Sequence, residues 1–540
     1  MVSAPHLLRR ARNRLRHSPG WLLAGVAVGL LVLLPLFAVL TGLSGGGEHW
    51  ETIASTVLGS YVVNTVILSV GVVVLSTAVG TLAAWIQTFY DYPLRRWFDV
   101  LLLLPLAIPG YVHAFIYSGI FSYGGIVQRF FRELLGMAPG TYPRVRIESM
   151  VGLILVLSIG LYPYVYVTVR AALARQSTGP VEAARALSAG ETRVFFRVGL
   201  PLLRPALAAG AGIVLMETLN EYGAAVYYGV PTMSVGVFRT WFAYNDLQST
   251  RFLASLFLVA VFLILGFERR LRGPARRDTS GSYATMHHRR PSPRARISIY
   301  AIVGIPVFLG FAVPMLKLVH WAFLSARSAD WSLIARSTGN TIVAGMAGTA
   351  LCMAVGLVLA YAPRVTGGTT LRWWTSLAAL GHAIPGAIVA VGVLTLFAGN
   401  RVVAIGSFAT LIFAYTVRYL ALAHRPLTEA FESFSGVLVE AGRTLGSGPT
   451  RTLFRVNLPV MGPTLRAAAL VAMIDIVQDL PLTTILRPFD FPTLAVETFR
   501  LAGDERLAES SIMALLLIAV GVVPILVHGV HRRRPRRKPA

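Results

Sequence analysis

Four carboxylates stand where a carboxylate is expensive. The apolar stretches 202–220 and 462–480 turn polar toward one end, as Met216-Glu217-Thr218-Leu219-Asn220-Glu221 and Ile474-Asp475-Ile476-Val477-Gln478-Asp479. Glu217 and Glu221 are four positions apart, as are Asp475 and Asp479, so each pair shares one helical face. An ionised side chain in an apolar segment needs water or a partner. Two placements satisfy that need. The four line a central cavity or its outer gate, or the segments end early and the carboxylates sit among lipid headgroups. Arg239, Arg251 and Arg487 are the candidate counter-charges.

Other reactive residue types are sparse. The single cysteine, Cys352, lies in an apolar run and permits neither an internal disulfide nor a thiolate cluster. His287-His288 falls in an arginine-rich stretch and reads as solvated; His113 and His382 lie near Pro-Gly pairs without being counterparts of each other. Tyr222, Tyr227 and Tyr228 are of a type common at membrane interfaces. No set of metal ligands and no acid–base cluster stands out, so the metal question stays open and an enzyme is disfavoured. The phosphate-binding pattern Gly-x-x-x-x-Gly-Lys-Ser/Thr does not occur, so this sequence has no evident means of hydrolysing ATP.

The elements that position the carboxylates follow from composition. Of 540 residues, 55% are hydrophobic and 14% charged, where a soluble domain carries roughly a quarter charged. Uncharged runs such as 21–40, 52–90 and 149–169 are long enough to cross hydrocarbon, which takes about 20 helical residues. We expect spans near 21–42, 61–86, 98–119, 149–170, 202–220 and 251–268, then 298–320, 340–362, 375–398, 403–422, 462–480 and 510–529. The first reads as an uncleaved helix, since Leu40-Thr41-Gly42 lacks a small-x-small cleavage pattern.

The formal charge of +25 is concentrated at 1–20, 268–297 and 530–540, which hold 20 of the 49 basic residues. That placement marks loops kept in the cytoplasm beside anionic lipid, rather than a nucleic-acid surface. Both termini and the central linker are then cytoplasmic. The expected organisation is a basic N-terminus at 1–20, a first membrane domain at 21–268, a basic linker at 269–297, a second membrane domain at 298–529, and a basic tail at 530–540.

The two domains repeat each other. Asn64-Thr65 returns as Asn340-Thr341, and Ala107-Ile108-Pro109-Gly110 as Ala383-Ile384-Pro385-Gly386, both at an offset of 276. Residues 181–207 match 439–465 at 15 of 27 positions with an offset of 258, which also pairs Glu217 with Asp475 and Glu221 with Asp479. Six spans per half make the repeats parallel, with a path between them the natural consequence. The fold class is therefore an all-α polytopic membrane protein of about twelve transmembrane helices in two parallel six-helix halves.

The repeated block is polar and amphipathic: a short cytoplasmic helix, a turn, then entry to the fifth or eleventh span. Val181, Ala184 and Leu187 or Ser188 fall at helical spacing, and Gly190 can end the helix. Copy one reads Glu182-Ala183-Ala184, Ser188, then Leu200-Pro201; copy two reads Glu440-Ala441-Gly442, Gly446, then Leu458-Pro459. This pattern resembles the permease subunits of binding-protein-dependent ABC importers, whose signature is Glu-Ala-Ala, three residues, Gly, nine residues, Ile-x-Leu-Pro. Ser188 stands for the glycine in copy one, and Gly442 for the alanine in copy two.

The resemblance implies an ABC importer permease fold in a bacterial inner membrane. It assigns ATPase coupling to Glu182, Ala183, Ala184, Ser188, Gly190, Glu440, Ala441, Gly442, Gly446 and Gly448, with Leu200, Pro201, Leu458 and Pro459 ending the coupling loops. It implies two cytoplasmic ABC ATPase subunits carrying ATP and Mg, an extracytoplasmic solute-binding protein, a lipid bilayer and no nucleic acid. The outer segments, with Asp479-Leu480-Pro481 and Leu486-Arg487-Pro488-Phe489, look most like fused ferric-iron permeases. Permeases for thiamine, polyamines or phosphonate are the alternative, and a proton- or sodium-coupled secondary transporter is the rival from another class.

Overall fold

The computed structural model describes residues 19–134, 136–138, 141, 146–175, 179–187, 190–272, 289–398, 406–433 and 446–532. Its principal helices are α1 Pro19–Leu40, α2 Leu58–Phe89, α3 Gly110–Phe121, α4 Met150–Arg175, α5 Leu200–Asn220 and α6 Leu247–Arg272. They continue as α7 Pro293–Ser325, α8 Trp331–Thr366, α9 Gly386–Phe397, α10 Phe408–Ser433, α11 Gly462–Gln478 and α12 Leu507–Arg532. Helix is the form such segments take because it satisfies every backbone polar group within the segment.

Each expected span coincides with one of these helices, but not all are simple crossings. Among the described residues, seven helices are long and apolar enough to cross a membrane, or ten if each sharply bent pair counts as one. α10 lies outside that count, and α12 contributes only a shorter apolar piece, Leu507–Val522.

The bends have a covalent cause. Arg95–Ala107 meets Gly110–Leu134 at 90°, and Thr369–Ala383 meets Gly386–Phe397 at 115°. Both breaks fall on the repeated Ile-Pro-Gly. A proline forces the residue before it out of the helical region, and Ile108 (φ −105°, ψ 115°) and Ile384 (φ −101°, ψ 130°) are extended. Pro109 and Pro385 then cap the next helix from an extended conformation. The straight spans expected at 98–119 and 375–398 are therefore corrected to broken ones.

The two halves pack alike and interleave. α2 packs against α4 and α5, and α8 against α10 and α11. α1, however, lies along α8 and α9 of the second half. There Gly25 abuts Ala362 and Gly29 abuts Trp374, so the absent side chains set the close approach. α7 in turn reaches α2 and α4 of the first half. One buried apolar cluster joins Leu157 of α4 to Leu517 of α12, and another joins Val39 of α1 to Val391 of α9. The hydrophobic cores are thus shared between the sequence halves.

One connection is fixed by a capped helix start. Asp246 Oδ1 accepts from the amides of Gln248 (2.9 Å) and Ser249 (3.0 Å), and Oδ2 accepts from the Ser249 hydroxyl (2.6 Å). His49 approaches the same oxygen at 3.3 Å. Burial alone would raise the Asp246 carboxyl, but these donors from Ser249 and His49 hold it at about 2. A carboxyl depressed by folding stabilises the protein above its ordinary value, near 3.8, and that contribution is lost as pH falls through about 2. Asp246→Asn should cost about 1 kcal/mol at pH 7, the usual scale for a helix cap. Thermal unfolding in detergent should show the gap to the parent closing between pH 4 and pH 2; a gap independent of pH would refute the charge-based account.

Candidate functional site

All four carboxylates line one cavity between the halves, of about 140 Å³. Its wall also takes Tyr164 from α4, Arg418 and Tyr419 from α10, and the Pro109-Gly110 bend. The matching helix faces read from the sequence thus turn toward a common cavity.

The carboxylates divide into two kinds. Glu221 Oε1 accepts from the Ala224 amide at 2.9 Å, and Asp479 Oδ1 from the amides of Leu482 (3.0 Å) and Thr483 (3.1 Å). Each therefore caps the short helix following α5 or α11, Gly223–Tyr227 or Pro481–Leu486. Glu217 and Asp475 form no hydrogen bond to a described residue; they are half-buried on the cavity wall, close enough to act on each other across the two halves.

The counter-charge is Arg418, not Arg239, Arg251 or Arg487. Arg418 Nε lies 3.3 Å from Asp479 Oδ2, and both side chains are almost fully buried. Its Nη1 donates to the Ile384 carbonyl at 2.9 Å, and Tyr419 donates its hydroxyl proton to Asp479 Oδ2 at 2.6 Å. Arg487 instead pairs with Glu497 at 3.7 Å, and Arg239 is close to Tyr61. Sequence reasoning passed over Arg418, although a lone arginine in Tyr415-Thr416-Val417-Arg418-Tyr419-Leu420 is the signal an intramembrane charge gives.

The repeat is written into the contacts across the cavity. Asn220 and Gln478 are counterparts at the 258 offset. Asn220 Oδ1 accepts from the Gly386 amide at 2.9 Å, and Gln478 Nε2 donates to the Ala107 carbonyl at 3.5 Å. Each half thus holds the Pro-Gly bend of the other. His382 lines the cavity, whereas His113 is buried with its Nε2 2.8 Å from the Gly310 carbonyl.

The repeated polar block is described in part. Gly179–Ala186 is a short helix carrying Glu182, Ala183 and Ala184. Val181 is buried and Ala184 packs on the core, but Leu187 is 84% exposed, because the helix ends at Ala186 and Leu187 lies in the turn. Ser188, Glu440, Ala441 and Gly442 lie outside the described residues.

Gly190 does not end this helix. It is extended (φ −61°, ψ 146°) and starts the next, Glu191–Val194, as Gly448 (φ −67°, ψ 164°) starts Pro449–Thr452. Gly446, at φ +76°, occupies the left-handed turn that favours glycine. Leu200 and Pro201 open α5 without a break, while Leu458–Val460 meets α11 at the 80° bend, where Gly462-Pro463 replaces Arg204-Pro205.

Glu191 ties the first block down. It contacts Arg185 (2.9 Å), Arg289 (2.6 Å) and the Tyr90 hydroxyl (3.2 Å). Arg289 also pairs its backbone with Phe89 and Asp91, so the end of the central linker is fastened to the first block and to the chain after α2.

Known proteins are similar to this chain in sequence. The sequence model of the family described as "Binding-protein-dependent transport system inner membrane component" matches residues 76–268. The Fe(3+)-transport system permease protein FbpB 2 of Haemophilus influenzae is 24% identical over 522 residues, covering 95% of this chain and 98% of that protein. The sulfate transport system permease protein CysT of Salmonella typhimurium is 30% identical over 203 residues, and that of Escherichia coli 31% over 205; each match covers 37% of this chain and 70% of the relative. With its bundle of long apolar helices, its internal pseudo-symmetry and these relatives, the chain belongs to the family of inner-membrane components of binding-protein-dependent transport systems, as a non-catalytic permease of an ABC-type import system.

Proposed function

We propose that this chain is the fused permease of an ATP-driven importer of ferric iron in a bacterial inner membrane, with both termini cytoplasmic. The observation that carries the substrate is the cavity, where four carboxylates face one guanidinium. At roughly 6 Å and an effective dielectric of about 20, each pair of unit charges is worth about 3 kcal/mol. A cation is drawn to such a lining and a sulfate dianion is repelled. A relative matching 95% of the chain is also named for Fe(3+) transport.

Iron is the cargo here and not a resident cofactor. Among the described residues no three histidine, cysteine or acidic side chains converge as a metal site requires. The carboxylates would lower the electrostatic barrier without trapping the ion.

An extracytoplasmic solute-binding protein delivers the substrate. Two cytoplasmic ATPases, which carry ATP and Mg, grip the blocks at Glu182-Ala183-Ala184 and Glu440-Ala441-Gly442. Ser188, Gly190, Gly446 and Gly448, with the entries at Leu200-Pro201 and Leu458-Pro459, transmit that movement to α5 and α11. Glu217, Glu221, Asp475 and Asp479 line the path it opens.

The test is uptake by cells lacking the chain's gene and complemented with it. Complementation should restore accumulation of radiolabelled ferric iron, with no effect of excess thiamine or spermidine. Restoration of sulfate uptake with none of iron would overturn the substrate assignment.

A further inference from the structure

The two halves hold their matching bends with opposite charges. Behind Gly110 stands the carboxylate of Glu221; behind Gly386 stands the guanidinium of Arg418, 3.0 Å from where a Cβ would be. The position matching Arg418 in the first half, at the 258 offset, is Gly160. One half therefore carries a cation that the other lacks.

That cation is placed to do two things at once. Through Nη1 it holds the Ile384 carbonyl, immediately before the proline that makes the second bend. Through its charge it acts on Asp479 and on Glu217 and Asp475, one from each half. Nε makes no hydrogen bond despite its closeness to Asp479, so that contact is Coulombic and imposes little directional constraint. A buried ion deprived of its partner is strongly disfavoured. Arg418 therefore leaves this seat readily only when another cation takes it.

We propose that Arg418 is a tethered counter-ion that keeps the cavity between the halves shut, and that a cationic substrate advances by displacing it from Asp479 and from the Ile384 carbonyl. Its departure leaves the Ile384-Pro385-Gly386 bend held across the cavity by Asn220 without the guanidinium, and this loosening couples arrival of the cargo to opening of the passage. Arg418 is a positioning residue in this scheme, acting through the bend. The displacement step rests on the proposed cationic substrate; the latch does not.

The test separates the two. The full chain with Cys352→Ser and Tyr164→Cys, in lipid nanodiscs, presents one thiol on the cavity wall. The rate of its modification by a charged methanethiosulfonate is then measured. Arg418→Gln and Asp479→Asn should each raise that rate by roughly tenfold, whereas Arg418→Lys, which keeps the charge, should stay near the parent. Asp479→Asn retains an oxygen for the helix cap, so it decides the matter if Arg418→Gln does not fold. Unchanged rates in both neutral variants would overturn the latch. Ferric nitrilotriacetate should accelerate labelling of the parent. If spermidine does so and ferric iron does not, displacement stands and the iron assignment fails; if no cation does so, displacement is overturned.

Discussion

Neutralising Glu217 and Asp475 together, as Glu217→Gln with Asp475→Asn, is expected to lower ferric-iron uptake by roughly a hundredfold. These are the two lining carboxylates that cap no helix, so their charge can be removed without releasing a backbone amide. At an effective dielectric of about 20 the two charges bound the effect at about 6 kcal/mol toward a cation, and the expected hundredfold uses about half of it. Uptake of radiolabelled ferric iron at matched membrane levels is the measurement. Uptake within about twofold of the parent would remove the cavity from the path.

Charge reversal at the first polar block, Glu182→Lys, is expected to bring uptake to background while the protein still reaches the membrane. Glu182 lies in the first turn of Gly179–Ala186, where an acid suits the helix dipole. Lysine there costs the helix about 1 kcal/mol through the dipole, and the level of the variant in the membrane reports whether it folds. A like charge set against a docking cleft costs several kcal/mol, enough to abolish binding of the ATPase. Co-purification of the ATPase with the variant and its ATP-driven uptake are the two readouts. Normal co-purification alongside normal uptake would refute the docking role.

Much of this was legible from residues because the physics is local. Uncharged runs in 52–90 or 149–169 admit few fates, and their helices appear where composition places them. The four carboxylates were visible because an acid in an apolar run has to be accounted for. Their counter-charge was not, because Arg418 lies some 60 positions before Asp479 and only the packing of α10 against α11 joins them. The bends at Pro109 and Pro385 illustrate a different miss. The Ala-Ile-Pro-Gly repeat was seen, yet a proline reading as a tolerated membrane residue hid a near right-angled turn. The placement of α1 on the other half has no local signature at all.

That placement bears on how the chain is made. Trp374 Nε1 donates to the Val26 carbonyl across a separation of 348 positions. At a translation rate of roughly 5–20 residues per second, the opening helix waits on the order of 20 to 70 s for the wall it will lean on. Until then α6 of its own half reaches it, at Val39, but the notch at Gly25 and Gly29 waits for the second half. Slowing the ribosome between the halves would lengthen this orphan period, and degradation of the nascent protein should rise with it.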